Sequence, residues 1–277
     1  MFPRNTIGEM VGRKAKSAPD PQYIIDGVRR LYGLGQELGV EILRDFYDDM
    51  PLKRARQCRE EIHALPVDAA VQSAFVGSLL SGLTDYVLPK TRDGEKAPRE
   101  VFVIGAAAQR NLTQAFLELP SQHRYALREA VSTRGWRMAS AGAFAAASAA
   151  WALHVNGHYV YYPQAEVDAF EGIDLMCALQ KRGKIVAELC IQVKRRGEEG
   201  NGVFTDAVGQ FVDMTDEQVV AMHDHREVTR RFNRKYDVSM GAMLITVSKT
   251  PPEFVEFEDH TDLIERVSMG IDQIFAG

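Results

Sequence analysis

The sequence predicts an α+β protein: an all-helical first half, then an α/β sandwich around a small mixed sheet. Three observations predict it. Apolar residues recur at helical spacing from Tyr23 to about Ser132, with proline breaks at Pro51, Pro66 and Pro120. After Asn156-Gly157 the pattern changes to short runs rich in β-branched and aromatic residues. From about Ala139 the order reads helix, three strands in meander, helix, strand, helix.

The elements follow in order. Residues 1–20 are polar and basic and close on Ala18-Pro19-Asp20-Pro21, the grammar of a flexible tail. Ile24, Val28, Leu31 and Tyr32 then share one helical face, and Leu38, Ile42, Leu43 and Phe46 repeat it. Further helices are expected over 52–64, 69–87, 101–119 and 122–132, with a charged loop over 88–99. The alanine-rich stretch 139–155 is expected as a buried or helix-packing segment. Strands are expected at 159–162, 173–179 and 185–194, with a polar stretch over 163–171 and a hairpin connection at 180–184. Two helices should follow, the second opened by the capping box Thr215-Asp216-Glu217-Gln218. A buried strand at 242–247 and a last amphipathic helix carrying Leu263, Ile264, Val267, Ile271 and Ile274 complete the chain. The expected organisation is a tail over 1–20, a helical domain over 21–136 and the sandwich over 137–277.

Composition narrows the function classes. At 45% hydrophobic and 26% charged residues the 277-residue chain has a globular profile. Its three cysteines, Cys58, Cys177 and Cys190, are scattered and show no CxxC spacing, against a disulfide framework or a structural zinc site. No apolar run in the sequence approaches the roughly 20 residues that span a bilayer, and the basic N-terminus lacks a signal-peptide core. The expectation is a cytoplasmic protein without a membrane partner. Net charge is −5, so any nucleic-acid contact must rest on local patches.

The chemistry concentrates on the hairpin. A period of two puts Glu188, Cys190, Gln192, Lys194 and Arg196 on one face of the third strand, and Leu189, Ile191 and Val193 on the other. Asp174, directly after Gly172-Ile173, starts the neighbouring strand and should lie beside Gln192 and Lys194. Phosphodiester hydrolysis needs such proximity. A carboxylate and further oxygens hold Mg²⁺, which prefers oxygen ligands. The metal polarises the phosphoryl group and acidifies water. A nearby lysine stabilises the developing negative charge.

Gly172-Ile173-Asp174-Leu175, then Ile191-Gln192-Val193-Lys194-Arg195, then the strand 241–248 resembles the Mrr-type restriction endonuclease catalytic domain, a D…QxK variant of the PD-(D/E)xK superfamily. The resemblance covers roughly the last half of the chain. It implies a restriction-endonuclease-like sandwich and an Mg²⁺- or Mn²⁺-dependent endonuclease. Asp174, Gln192 and the Val193 backbone carbonyl would be metal ligands and Lys194 the catalytic lysine. It also implies double-stranded DNA as substrate, a homodimer or larger defence complex, and a role against foreign DNA. One departure stands out: the preceding helix reads Ala143-Phe144-Ala145-Ala146-Ala147, without the glutamate usual in the family. Glu166, Asp168 and Glu171 are the candidates for the third carboxylate. The alternative from a different class is a catalytically degenerate module kept for nucleic-acid binding or assembly.

Basic residues near the hairpin, Lys181, Arg182, Arg195 and Arg196, are candidate phosphate contacts. Arg226, Arg230 and Arg234 share a helical stripe beside Arg231 and Lys235, which by itself reads as a solvated face. His223 and His225 point to different sides of a helix and do not make a metal pair. Gly33, Gly35 and Gly39 follow no strand and read as helix punctuation rather than a dinucleotide loop.

Overall fold

The computed structural model describes residues 20–44, 50–91, 99–195, 200–205, 214–248, 257 and 260–276. The expected basic tail, apart from Asp20, lies outside them. The chain divides into two compact units, Arg13–Phe144 and one containing Ala145–Gly277, with the division inside a helix.

In the first unit α1 (Pro21–Arg44), α2 (Met50–His63), α3 (Ala69–Lys90), α4 (Arg99–Glu118) and α5 (Ser121–Glu129) lead into α6 (Arg134–Val155). The apolar residues of α3 are not confined to one stripe, and it is buried almost all round from Ala70 to Thr84. Its buried hydroxyls turn back on the helix: Ser78 donates to the Ala74 carbonyl and Thr84 to the Leu80 carbonyl. Asp68 caps its start by accepting from the Ala70 amide. Two glycines set how closely α1 and α3 approach. A Cβ on Gly35 would strike the Leu79 carbonyl oxygen, and one on Gly82 would strike that of Tyr32. The supposed punctuation at Gly35 is therefore a packing position. Beside it the Tyr32 hydroxyl reaches Asp85 Oδ2 and Thr133 Oγ1, both at 2.8 Å. Burial holds the Asp85 carboxyl above the usual carboxylate range.

The second unit holds the sheet: β1 (Tyr159–Tyr161), α7 (Ala165–Glu171), β2 (Leu175–Lys181), β3 (Lys184–Arg195), β4 (Gly202–Thr205), α8 (Asp216–Tyr236), β5 (Gly241–Val247) and α9 (Thr261–Ala276). The strand order is β1-β2-β3-β5-β4. The β1-β2-β3 meander is antiparallel, β5 runs parallel to β3, and β4 pairs antiparallel with β5. β2 and β3 turn through Arg182 and Gly183, both at positive φ, the geometry of a two-residue hairpin. A parallel partner for β3 requires a crossover, and α8 lies within it.

The architecture is mixed α+β, with the expected meander, helix, strand and helix in order. Several boundaries differ. The expected loop over 88–99 loses its start to α3, which runs through Pro89 to Lys90. In the last turn a proline removes only one bond, and Thr91 caps the end by donating to the Val87 carbonyl. α6 starts at Arg134 because Thr133 Oγ1 accepts from the Trp136 amide. The polar stretch 163–171 contains α7, and a strand, β4, stands in the region where the first of two helices was expected.

Both faces of the sheet are covered. Cys190, Met176 and Ile173 pack with Val167 of α7 and Phe232 of α8, while Ala242 and Leu244 pack with Met222. Cys190, on the strand face that also carries Glu188, Gln192 and Lys194, is core, because α8 lies on it. On the opposite face Gly270 of α9 sits against Val203 and Thr205 of β4. Among the described residues one helix, α6, is long and apolar enough to cross a bilayer. Of its apolar window 67% is buried inside the protein, as in a core helix.

Replacing Gly82 by alanine forces α1 and α3 apart. We expect a loss of roughly 2–4 kcal/mol, read as a lower urea midpoint. Gly33→Ala is the control, since a Cβ there meets nothing within 4 Å, and it should be neutral or slightly stabilising.

Candidate active site

Asp174 is fixed to β3 twice. Its amide donates to the Ile191 carbonyl at 3.0 Å, and its Oδ2 accepts from the Val193 amide at 2.7 Å. The first bond extends the β2–β3 pairing one residue beyond Leu175. The second clamps the carboxylate to the strand that carries Gln192 and Lys194. In a strand the N–H and C=O of one residue point to the same edge, so the Val193 carbonyl also lies on the edge facing Asp174.

Gln192 shares its face with Cys190 and Leu244. Its Nε2 donates to the Gly172 carbonyl at 3.4 Å, which leaves Oε1 as the end available to a cation. Gly172 is a left-handed C-cap, φ +64°, and its amide donates to the Asp168 carbonyl. This turn carries the chain from Asp168 on α7 to Asp174 at the head of β2.

Of the three candidates for a further carboxylate, the structure brings Asp168 to the site. Burial, and then the charge of Asp174, push Asp168 up to about 8. Asp174 is pushed up to about 6 by burial, against the opposing pull of the Val193 amide and the Lys194 charge. Glu171 turns instead to Lys235 of α8, at 3.1 Å. Glu166 is exposed on α7.

Lys194 is exposed at the end of β3, close enough for its charge to bear on Asp174. Arg195 follows it. Lys181 and Arg182 lie at the far end of the hairpin. Lys181 pairs with Lys184 and Leu175 with Ile191, so the basic tip stands roughly 20 Å along the strand from the acids. Arg196 lies outside the described residues. His225 is a core histidine: its Nε2 meets the Cys190 carbonyl at 2.9 Å, and His223 is exposed.

A divalent cation fits this donor set. Two partly buried carboxyls, each held above the usual range, would ionise more readily beside a cation, which competes with their protons. Gln192 Oε1 and the Val193 carbonyl are neutral oxygens of the kind magnesium accepts. Among the described residues no three His, Cys, Asp or Glu side chains form a metal cage. The set is therefore two acids plus neutral oxygens.

α7 and its turn were the part that sequence reasoning missed. The signal was Gly172 at the end of a short run with Val167 inward, a helix stop read instead as a loop. Lys235 as the partner of Glu171 is 64 residues away and left no local trace.

The raised carboxyls fix the sign of the pH dependence. The folded state keeps protons that the unfolded chain releases near pH 4, so this pair favours folding most at low pH. That contribution is lost as pH rises from about 4 to about 8. In metal-free buffer Asp168→Asn should flatten the fall in urea midpoint between pH 5 and pH 8.5. An unchanged slope would show that Asp168 does not hold its proton in the fold.

Comparisons of the chain with protein-family models, with curated proteins and with solved structures found no match.

Proposed function

We propose that this protein is a metal-dependent endonuclease with a restriction-endonuclease-like C-terminal unit, hydrolysing phosphodiester bonds of DNA. One observation carries the reading: the Gly172 turn, bonded to Gln192, links Asp168 to Asp174, whose charge bears on Asp168, with Lys194 at the rim. The supporting architecture is the β1-β2-β3 meander, the crossover through α8 and the parallel β5, with the acid at the head of β2 and QxK on β3.

In this reading Asp174, Asp168, Gln192 Oε1 and the Val193 carbonyl hold Mg²⁺ or Mn²⁺. When bound, the cation supplies Lewis acidity toward the phosphoryl oxygens and lowers the pKa of water. The chain's own residues do the rest. The Val193 amide fixes Asp174 Oδ2, which would leave the other carboxylate oxygen for the cation. The Lys194 ammonium donates to a non-bridging oxygen as negative charge builds on it. Its position at an exposed strand end lets it reach a phosphate that approaches from solvent. Double-strand cleavage by one such site per chain calls for a two-fold pair of chains.

Supercoiled plasmid incubated with Mg²⁺ or Mn²⁺ tests the reading. Wild type should nick it, and Asp174→Ala and Lys194→Ala should each lose about 100-fold or more. Asp168→Asn should lose activity while keeping its fold. Mn²⁺ should also raise the melting temperature of wild type by roughly 2–5 °C, more at pH 8 than at pH 5.5, because the cation competes with the protons on the two acids. Equal nicking by all four proteins would mean that the site is misassigned.

A further inference from the structure

The outward side of α8 carries charge that the fold does not explain. From Arg226 to Lys235 the sequence holds five cations and one anion, Glu227, in a protein of net charge −5. Met222, His225, Thr229 and Phe232 point into the core. Arg230, Arg231 and Arg234 therefore face outward, and all three are exposed. Arg230 and Arg234 share the Glu227 carboxylate, at 3.4 and 3.7 Å. The Arg231 side chain forms no ion pair or hydrogen bond among the described residues.

A solvated helix face accounts for only part of this. Cations in the last turn complement the helix dipole, which covers Arg234 and Lys235. Arg230 and Arg231 lie before that turn. Like charges four apart, Arg230 with Arg234 and Arg231 with Lys235, disfavour the helix. Two guanidiniums on one carboxylate leave a surplus of positive charge.

We propose that this face, centred on Arg230, Arg231 and Arg234, binds the phosphodiester backbone of the nucleic acid that the acidic site cuts; the inference rests on that reading of the site. Location supports it. Lys235, at the end of the same face, holds Glu171, and Gly172 next to it accepts from Gln192. The basic face thus ends at the turn that carries Asp168 to Asp174. Arg230 and Arg234, four residues apart, stand about 6 Å apart along the helix axis, so they present charge in a line, as a strand of phosphates does. Arginine outnumbers lysine, suiting bidentate contact with phosphate oxygens. A membrane surface fits poorly, because the apolar side of α8, Val228 and Phe232, is packed in the core.

The test is fluorescence anisotropy in EDTA with a labelled duplex of roughly 20 base pairs, a single strand and an RNA of equal length, over a KCl series. Wild type is compared with the triple variant R230Q/R231Q/R234Q, which leaves Lys235 in place. R266Q, on α9 at the opposite face of the sheet, is the control, and melting curves check the fold. The triple variant should bind at least one of the three probes about tenfold or more weakly near 0.1 M KCl. Its log K against log [KCl] slope should be shallower by about 2 to 3, with the control unchanged. The arm that loses most identifies the strand recognised. Equal affinities and slopes for wild type and the triple variant would overturn the proposal, as would polyglutamate binding this face as tightly as nucleic acid. Cleavage separates it from the nuclease reading. Arginine-dependent binding without Mg²⁺- or Mn²⁺-dependent cleavage sinks the nuclease reading alone. Cleavage that the triple variant performs equally well at limiting substrate sinks this inference alone.

Discussion

The Val193 amide donates to Asp174 Oδ2 at 2.7 Å, and everything at the acidic site hangs on that bond. A carboxylate at the first residue before a strand would ordinarily swing with its loop. Here the side chain is fixed by the partner strand, and the Asp174 amide is fixed by the Ile191 carbonyl two residues earlier on that strand. β3 therefore dictates three things in one register: where Asp174 points, where Gln192 meets the Gly172 turn, and where Lys194 emerges. Pairing of β3 with β5, from Leu189 through Arg195, holds that segment from its other edge. A strand held on both edges is a rigid support, which metal-assisted chemistry needs.

Against this rigidity stands an electrostatic cost. Burial, joined by the charge of Asp174, lifts Asp168 to about 8, and burial lifts Asp174 to about 6. Neither rise helps the fold at neutral pH. Charged groups that disfavour folding persist where they serve binding or catalysis, and a divalent cation relieves both terms together. Lys194 offsets part of the charge from one side only. The fold tolerates the pair because the surrounding packing is firm: Val167 and Ile173, which flank the turn between the two acids, sit in a core with Met176, Cys190 and Phe232.

How much was legible follows from the range of the interactions. The β2–β3 hairpin could be read because alternation and the turn residues Arg182-Gly183 are local, and the pairing of Asp174 with the end of β3 follows from hairpin geometry alone. The Thr215 capping box could be read for the same reason, and the structure contains it. α7 was not legible as a helix: it is seven residues long, too short to show a period, and it forms because Val167 finds a core supplied by α8 and β3. β4 was hidden likewise. Its four residues become a strand by pairing with β5, which lies more than 30 residues on. The burial of Cys190 depended on which helix would cover that face. Asp168 could be named only as one of three acids, since the choice among them was made by Lys235 drawing Glu171 away.

The glutamine at position 192 can now be understood as more than a weaker ligand. Its Nε2 donates to the Gly172 carbonyl. An ionised glutamate there has no donor and would set a carboxylate oxygen against that carbonyl, opening the turn between Asp168 and Asp174. In the proposed site glutamine would serve two neighbours at once, the turn through its nitrogen and a cation through its oxygen. With glutamine rather than a carboxylate at this position of β3, the Gly172 turn closes on the sheet, and that turn links Asp168 to Asp174. The absence of a glutamate from α6, a departure when the sequence is taken element by element, is then consistent with a site that draws its second acid from the loop side of the sheet.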